Sequence, residues 1–133
     1  MCFSKHVQKI LVAHDGSDHA KKAVERASAL AKALGASVYV ITVSTDPSQV
    51  SLEKAKKIAQ EAANALKSKG VNVDDIAVRS GTPATEILNY AEEKEVDLIV
   101  MGSRGLSAIQ CLVLGSASQA VVSRARVPVL VVR

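Results

Sequence analysis

Two short stretches of this chain carry residue types suited to chemistry. His14-Asp15-Gly16-Ser17 ends one apolar run, and Gly102-Ser103-Arg104-Gly105 ends another, opening a Gly/Ser-rich stretch that runs to Gly115-Ser116. Gly102 and Gly105 would let backbone approach a ligand closely, and Gly115-Ser116 opens a helix whose free N–H groups favour an anion. A helix end contributes about 0.3–1 kcal/mol toward one nearby charge, so useful affinity for a polyphosphate needs several converging amides together with Arg104. Asp15 stands where a carboxylate can bond ribose hydroxyls or hold a metal beside phosphates. Its structural alternative is an Asx turn leading into a Ser17 cap.

Other readings of the same residues are plainer. Ser116-Ala117-Ser118-Gln119 fits a capping box, in which the serine oxygen accepts an N–H bond and the glutamine reaches back. That role is compatible with phosphate binding, because a hydroxyl accepts from backbone while donating its proton elsewhere. His14 has no serine or cysteine at catalytic spacing and reads as a structural histidine. Cys111, among Ile109, Leu112, Val113 and Leu114, reads as a small buried hydrophobe. Cys2 and Cys111 are the chain's two cysteines, and they form neither a metal spacing nor a disulfide framework.

Several phosphate motifs are missing. The chain has no G-x-x-x-x-G-K-[ST] loop, no G-x-G-x-x-G after its first strand, and no lysine between Gly102 and Ser116. Standard nucleotide hydrolases and dinucleotide dehydrogenases do not fit, and Asp15 alone lacks the clustered acids of a phosphorylated receiver. No catalytic set is assembled.

The elements that must position these residues alternate. Ile10-Leu11-Val12 within Lys9 to Ala13 reads as a buried strand, and Ser17 caps a helix in which Ala20, Ala23, Val24, Ala27, Leu30, Ala31 and Leu34 share a stripe before Gly35 stops it. Ser37 to Val43 is a second strand, apolar on both faces. Leu52, Ala55, Ala59, Ala62, Ala63 and Leu66 mark a second helix ended by Gly70, and a weaker strand follows over Asp75 to Arg79. Thr82 and Pro83 start a third helix as cap and first helical residue. Leu98 to Met101 is the fourth strand, a helix runs from about Ala117 to Arg124, and Pro128 to Val132 closes the chain. This order predicts one α/β domain over residues 1–133, with a doubly wound parallel sheet covered by helices on both faces. Ligands of such sheets bind beyond the carboxyl ends of the strands where strand order reverses, which puts the two unusual stretches side by side.

Composition narrows the partner. The chain has 133 residues, 48% of them hydrophobic and 23% charged, with a net charge of +4, so one domain with a sizeable core is expected. Phe3, Tyr39 and Tyr90 are its only rings, and tryptophan is absent. Single-stranded nucleic acids are gripped by stacked aromatics worth about 1–3 kcal/mol per base, so this chain is not suited to them. Its basic residues lie in mixed-sign runs such as Glu53-Lys54-Ala55-Lys56-Lys57, the pattern of a solvated helix face. No apolar run reaches the roughly 18–20 residues of a membrane span, and no signal core follows Met1, so the expected location is the cytoplasm, with no membrane association.

Taken together, the residues resemble a family. Gly102-x-x-Gly105, nine residues, then Gly115-Ser116 matches the G-2x-G-9x-G-(S/T) signature of the ATP-binding branch of the universal stress proteins. Ile10 to Ser17, Gly81-Thr82-Pro83, Asp97 to Gly102 and Val127 to Val132 agree as well. The resemblance implies a five-stranded sheet ordered 3-2-1-4-5, the adenine nucleotide alpha hydrolase-like arrangement. It also implies ATP or another adenine nucleotide at the carboxyl edge, with Mg²⁺ or Mn²⁺, and a homodimer paired through residues 129–132. Base and ribose would lie against Ala13, Asp15 and the main chain of Val43, with Val43 and Met101 giving aliphatic contacts. The phosphates would meet Gly102, Ser103, Arg104, Gly105, Gly115, Ser116, Ala117 and Ser118. The implied role is a stress-response or signalling module acting through a protein partner. Its alternatives are a slow ATPase or phosphotransferase and a nucleotide-free dimeric interaction protein. The connection after Val43 is short where some members carry a long insertion, which implies a less covered nucleotide.

Overall fold

A computed structural model describes residues 7–103 and 115–133, and strand and helix alternate through them. In chain order they are β1 (Lys9–Ala13), α1 (Asp18–Leu34), β2 (Ser37–Ser44), α2 (Gln49–Ser68), β3 (Val73–Ser80), α3 (Pro83–Lys94), β4 (Leu98–Gly102), α4 (Ser116–Arg124) and β5 (Val129–Val132). The five strands form one sheet in the order β3-β2-β1-β4-β5, and each adjacent pair is parallel. Strand order therefore reverses between β1 and β4, as the alternation predicts.

Side chains alternate across the sheet and build two cores. Ile10, Val12, Val38, Val40 and Val100 face α1 and α2, meeting Ala23, Ala27, Ala31, Ala59 and Leu66. Leu11, Tyr39, Ile41, Ile99 and Met101 face α3 and α4, meeting Ala84, Ile87, Tyr90 and Val121. The many alanines on the helix faces let the helices sit close to the β-branched sheet, and each fully buried Ile, Leu or Val contributes about 1.5–3 kcal/mol. Interior strands buried on both sides are continuous apolar runs for this reason.

Helix ends follow local chemistry. Ser17 accepts the Ala20 N–H to cap α1, and Gly35 ends it in the left-handed region at φ 67°. Ser48 caps α2 by accepting from Ser51, so the helix starts at Gln49, three residues before the Leu52 that opens its stripe, and Gly70 at φ 81° follows its end. Thr82 holds the cap position of α3, but its side chain makes no capping bond; Pro83 starts the helix.

One strand is longer than its sequence reads. β3 spans Val73–Ser80 rather than Asp75 to Arg79, and the acids that make it look like a loop have partners. Tyr39 Oη donates to Asp74 at 3.3 Å, and Tyr90 Oη donates to Asp75 at 2.6 Å. Lys94 stands 3.6 Å from the Asp75 carboxylate. The tyrosine bond comes first in holding the Asp75 carboxyl below the usual carboxylate range, while burial and that same bond push the Tyr90 phenol well up.

Candidate functional site

The candidate site is built at the carboxyl ends of β1 and β4, where the N-termini of α1 and α4 also converge. His14 follows Ala13 and extends the ladder, its N–H donating to the Ile41 carbonyl at 3.0 Å. Asp15 then turns the chain: its Oδ1 accepts the Ser17 N–H at 2.9 Å, so the Asx turn is formed. Among the described residues no hydrogen bond is made to its second carboxylate oxygen.

The β4 end is held from three sides through Ser103. Its N–H donates to Val132 at 2.8 Å, and its carbonyl accepts the Gly115 N–H at 2.7 Å. Ser118 Oγ lies 2.8 Å from that carbonyl and 3.1 Å from the Gly102 carbonyl, sharing its proton between them. Ser103 Oγ is 2.7 Å from Nδ1 of His19 on the first turn of α1. Ser103 and Gly115, near the two ends of the Gly/Ser-rich stretch, are thereby tied to each other.

The start of α4 differs from a capping box. Gly115 is the cap and Ser116 is the first helical residue, with no side-chain capping bond. The first helical bond runs from Gln119 N–H to the Gly115 carbonyl at 2.9 Å, so the amides of Ser116, Ala117 and Ser118 have no helical acceptor behind them. Ser116 is exposed and Ala117 half-buried, which leaves this turn accessible to an anion. Ser118 is buried, and its hydroxyl is spent on two carbonyls rather than on a ligand.

Gly102 has a different neighbour from the one its motif implies. A Cβ built there would lie 2.8 Å from the carbonyl carbon and Cβ of His19 and 2.9 Å from the Ala20 nitrogen. Close approach of α1 therefore accounts for glycine at this position.

The apolar residues assigned to the base come together on one face. Ala13 and Val43 are partly buried in the same cluster as Met101, and Ala117, assigned to the phosphates, packs against that cluster too. Met101 is only 5% exposed and forms part of the core beneath the others. Arg104, Gly105 and Cys111, with Cys2 and Phe3, lie outside the described residues.

His14 is structural, as its sequence setting indicates. It is 4% exposed and continues the face carrying Ile10 and Val12. Burial depresses its pKa below 6.5, opposed by the Asp15 and Glu61 charges and assisted by Lys21. His14 Nδ1 and Thr42 Oγ1 are buried without a hydrogen-bond partner among the described residues. Groups of this kind each cost about 1–3 kcal/mol.

His19 is the residue sequence reasoning missed. It sits 84 positions from Ser103, and no local pattern signals their pairing. Among the described residues no group of three or more His, Cys, Asp or Glu side chains could hold a metal ion. Asp15 supplies at most one ligand, so a divalent ion would take its remaining ligands from phosphates and water.

These features define a doubly wound α/β domain with two helix N-termini framing one carboxyl edge. The model of the universal stress protein family matches residues 6–133. A universal stress protein of Thermus aquaticus is 43% identical over 136 residues, covering 93% of this chain and 97% of that one. The universal stress protein UspA of Lactobacillus plantarum superposes with a TM-score of 0.78 at 27% identity, covering 98% of this chain and all of the other. A universal stress protein solved in complex with cAMP superposes with a TM-score of 0.79 at 30% identity, covering 97% and 98% of the two chains. The chain belongs to the universal stress protein family.

Proposed function

We propose that this protein is an adenine-nucleotide-binding universal stress protein of the ATP-binding branch, working in the cytoplasm as a stress-response or signalling module through a protein partner. The observation that carries this reading is the first turn of α4. Its amides at Ser116, Ala117 and Ser118 have no helical acceptor, and Gly115 and Ser118 tie it to the end of β4. Such a turn suits phosphate oxygens. The related protein solved with cAMP supports an adenine nucleotide as the ligand class.

In this reading the phosphates meet the amides of Ser116, Ala117 and Ser118 together with Arg104 and Gly105, Arg104 supplying the positive charge, while Gly102, Ser103 and Gly115 hold the two sides of the site in place. Asp15 uses its second carboxylate oxygen on the ribose, while Ala13 and Val43, backed from the core by Met101, give the base an aliphatic seat in place of aromatic stacking. Any Mg²⁺ or Mn²⁺ arrives with the phosphates. A homodimer forms through the outer edge of β5, the last strand of the sheet, whose residues 129–132 carry no charge. No helix of the described residues is long and apolar enough to cross a membrane.

Isothermal titration against ATP, ADP, AMP and cAMP, with and without Mg²⁺, tests the reading. Saturable heat is expected from at least one of them, and no binding at millimolar ligand rejects it. Light scattering behind size exclusion tests the dimer, which a monomer mass rejects.

A further inference from the structure

We infer that His19 is a positioning residue for the nucleotide site: through Ser103 it sets where α4 begins, and with it the direction of the Ser116 and Ala117 amides. This inference rests on the adenine-nucleotide reading above.

The grip is double. The backbone of His19 abuts Gly102 so closely that a Cβ there would come within 2.8 Å. Its imidazole then bonds the very next residue, Nδ1 to Ser103 Oγ at 2.7 Å. One residue of α1 thus holds two consecutive positions at the end of β4. Ser103 passes that constraint on, because its carbonyl receives both the Gly115 N–H at 2.7 Å and the Ser118 hydroxyl at 2.8 Å. Those two bonds place the first turn of α4.

Ser103 is 4% exposed, and every polar group it has is engaged: N–H to Val132, carbonyl to Gly115 and Ser118, hydroxyl to His19. A buried node with four partners has little freedom to relax when one is removed, so loss of the imidazole is felt at the others. Anion binding by converging amides depends steeply on direction, and a site is only as well placed as the shell behind it. The bond forms in either sense, with Nδ1–H donating to Oγ or bare Nδ1 accepting the hydroxyl proton. Asparagine at the same position offers an acceptor and a donor one atom beyond Cγ, where Nδ1 stands, and therefore replaces the bond in either sense.

The test compares His19→Ala, His19→Asn, Ser103→Ala and the alanine double variant by ATP titration, with apo thermal melts alongside. His19→Ala weakens ATP binding roughly two- to tenfold, the range of one hydrogen bond. His19→Asn returns to within about twofold of wild type, and the double variant is no weaker than the worse single. ATP affinity unchanged in His19→Ala, or equally poor in His19→Asn, overturns the inference; should His19→Ala fail to fold, His19→Asn and Ser103→Ala carry the same comparison, and an unaffected Ser103→Ala overturns it. If the wild type binds another of the four nucleotides but not ATP, that nucleotide replaces ATP in the same comparison; if it binds none of them, the nucleotide reading fails, and the apo amide resonances of Gly115 and Ser116 decide the positioning role. Displacement by Ser103→Ala, with His19→Asn like wild type, sustains it; resonances unmoved by Ser103→Ala overturn it.

Discussion

Replacing Gly102 by alanine separates two demands on the same residue. If glycine were needed there only for a ligand's approach, apo stability would hold or rise, since alanine restricts the unfolded chain by about 0.4–1 kcal/mol. The structure predicts the opposite sign. The added methyl meets the carbonyl carbon and Cβ of His19 at 2.8 Å and the Ala20 nitrogen at 2.9 Å, all within the first turns of a helix that cannot swing aside like a long side chain. Overpacking of this kind costs about 1–3 kcal/mol, and backbone neighbours put this site in the upper part of that range. Subtracting the unfolded-state gain leaves a net loss of about 1–2.5 kcal/mol. With an unfolding entropy of about 2.1 cal/mol/K per residue, a chain of 133 residues loses about 3.6 °C in Tm per kcal/mol. The expected fall is therefore about 4–9 °C, read by calorimetry on nucleotide-free protein, with faster hydrogen exchange at the Ala20 amide. A Tm equal to wild type or higher refutes the packing of α1 on the end of β4.

Three other substitutions probe the same account. Burial keeps His14 neutral in the native state, so the unfolded chain binds a proton that the folded one refuses; its contribution is intact above pH 6.5 and lost as pH falls through that value toward the depressed native pKa. Urea midpoints at pH 7.5 and 5.5 should differ less in His14→Leu than in wild type, and an equal difference counts against the buried neutral imidazole. Tyr90→Phe removes the 2.6 Å bond to Asp75 and should lower stability by about 1–2 kcal/mol, read as a shifted urea midpoint. Glu95 ends α3 in the left-handed region at φ 53°, so Glu95→Gly should raise Tm by about 2–4 °C in a calorimetric scan, from a gain of roughly 0.5–1 kcal/mol.

The alternation of strand and helix was legible because buried parallel strands write themselves as apolar runs and glycine marks helix ends, whereas the strand order came with the family resemblance. The Asx turn at Asp15 and the Ser17 cap were equally local, each closed within a few residues. What escaped the sequence was set by tertiary neighbours. The start of β3 at Val73 and Asp74 lay outside the predicted strand because the tyrosine partners of Asp74 and Asp75 come from β2 and α3. Ser116 resembles a cap, but the bond from Gly115 to Ser103 moves the helix start one residue earlier. Gly102 and His19 acquire their roles only when α1 is laid against β4. The strand ends bearing the site could thus be found from spacing, while the groups that hold them rigid could not.

In the proposed function an adenine nucleotide sits on the first turn of α4 beside Asp15. Titration of ¹⁵N-labelled protein with ATP and Mg²⁺ tests it most directly. Saturable shifts are expected at the amides of Ser116 and Ala117, with Asp15 and Val43 moving at the same ligand concentration. Shifts confined to residues away from this edge, or none at millimolar ATP, would contradict it.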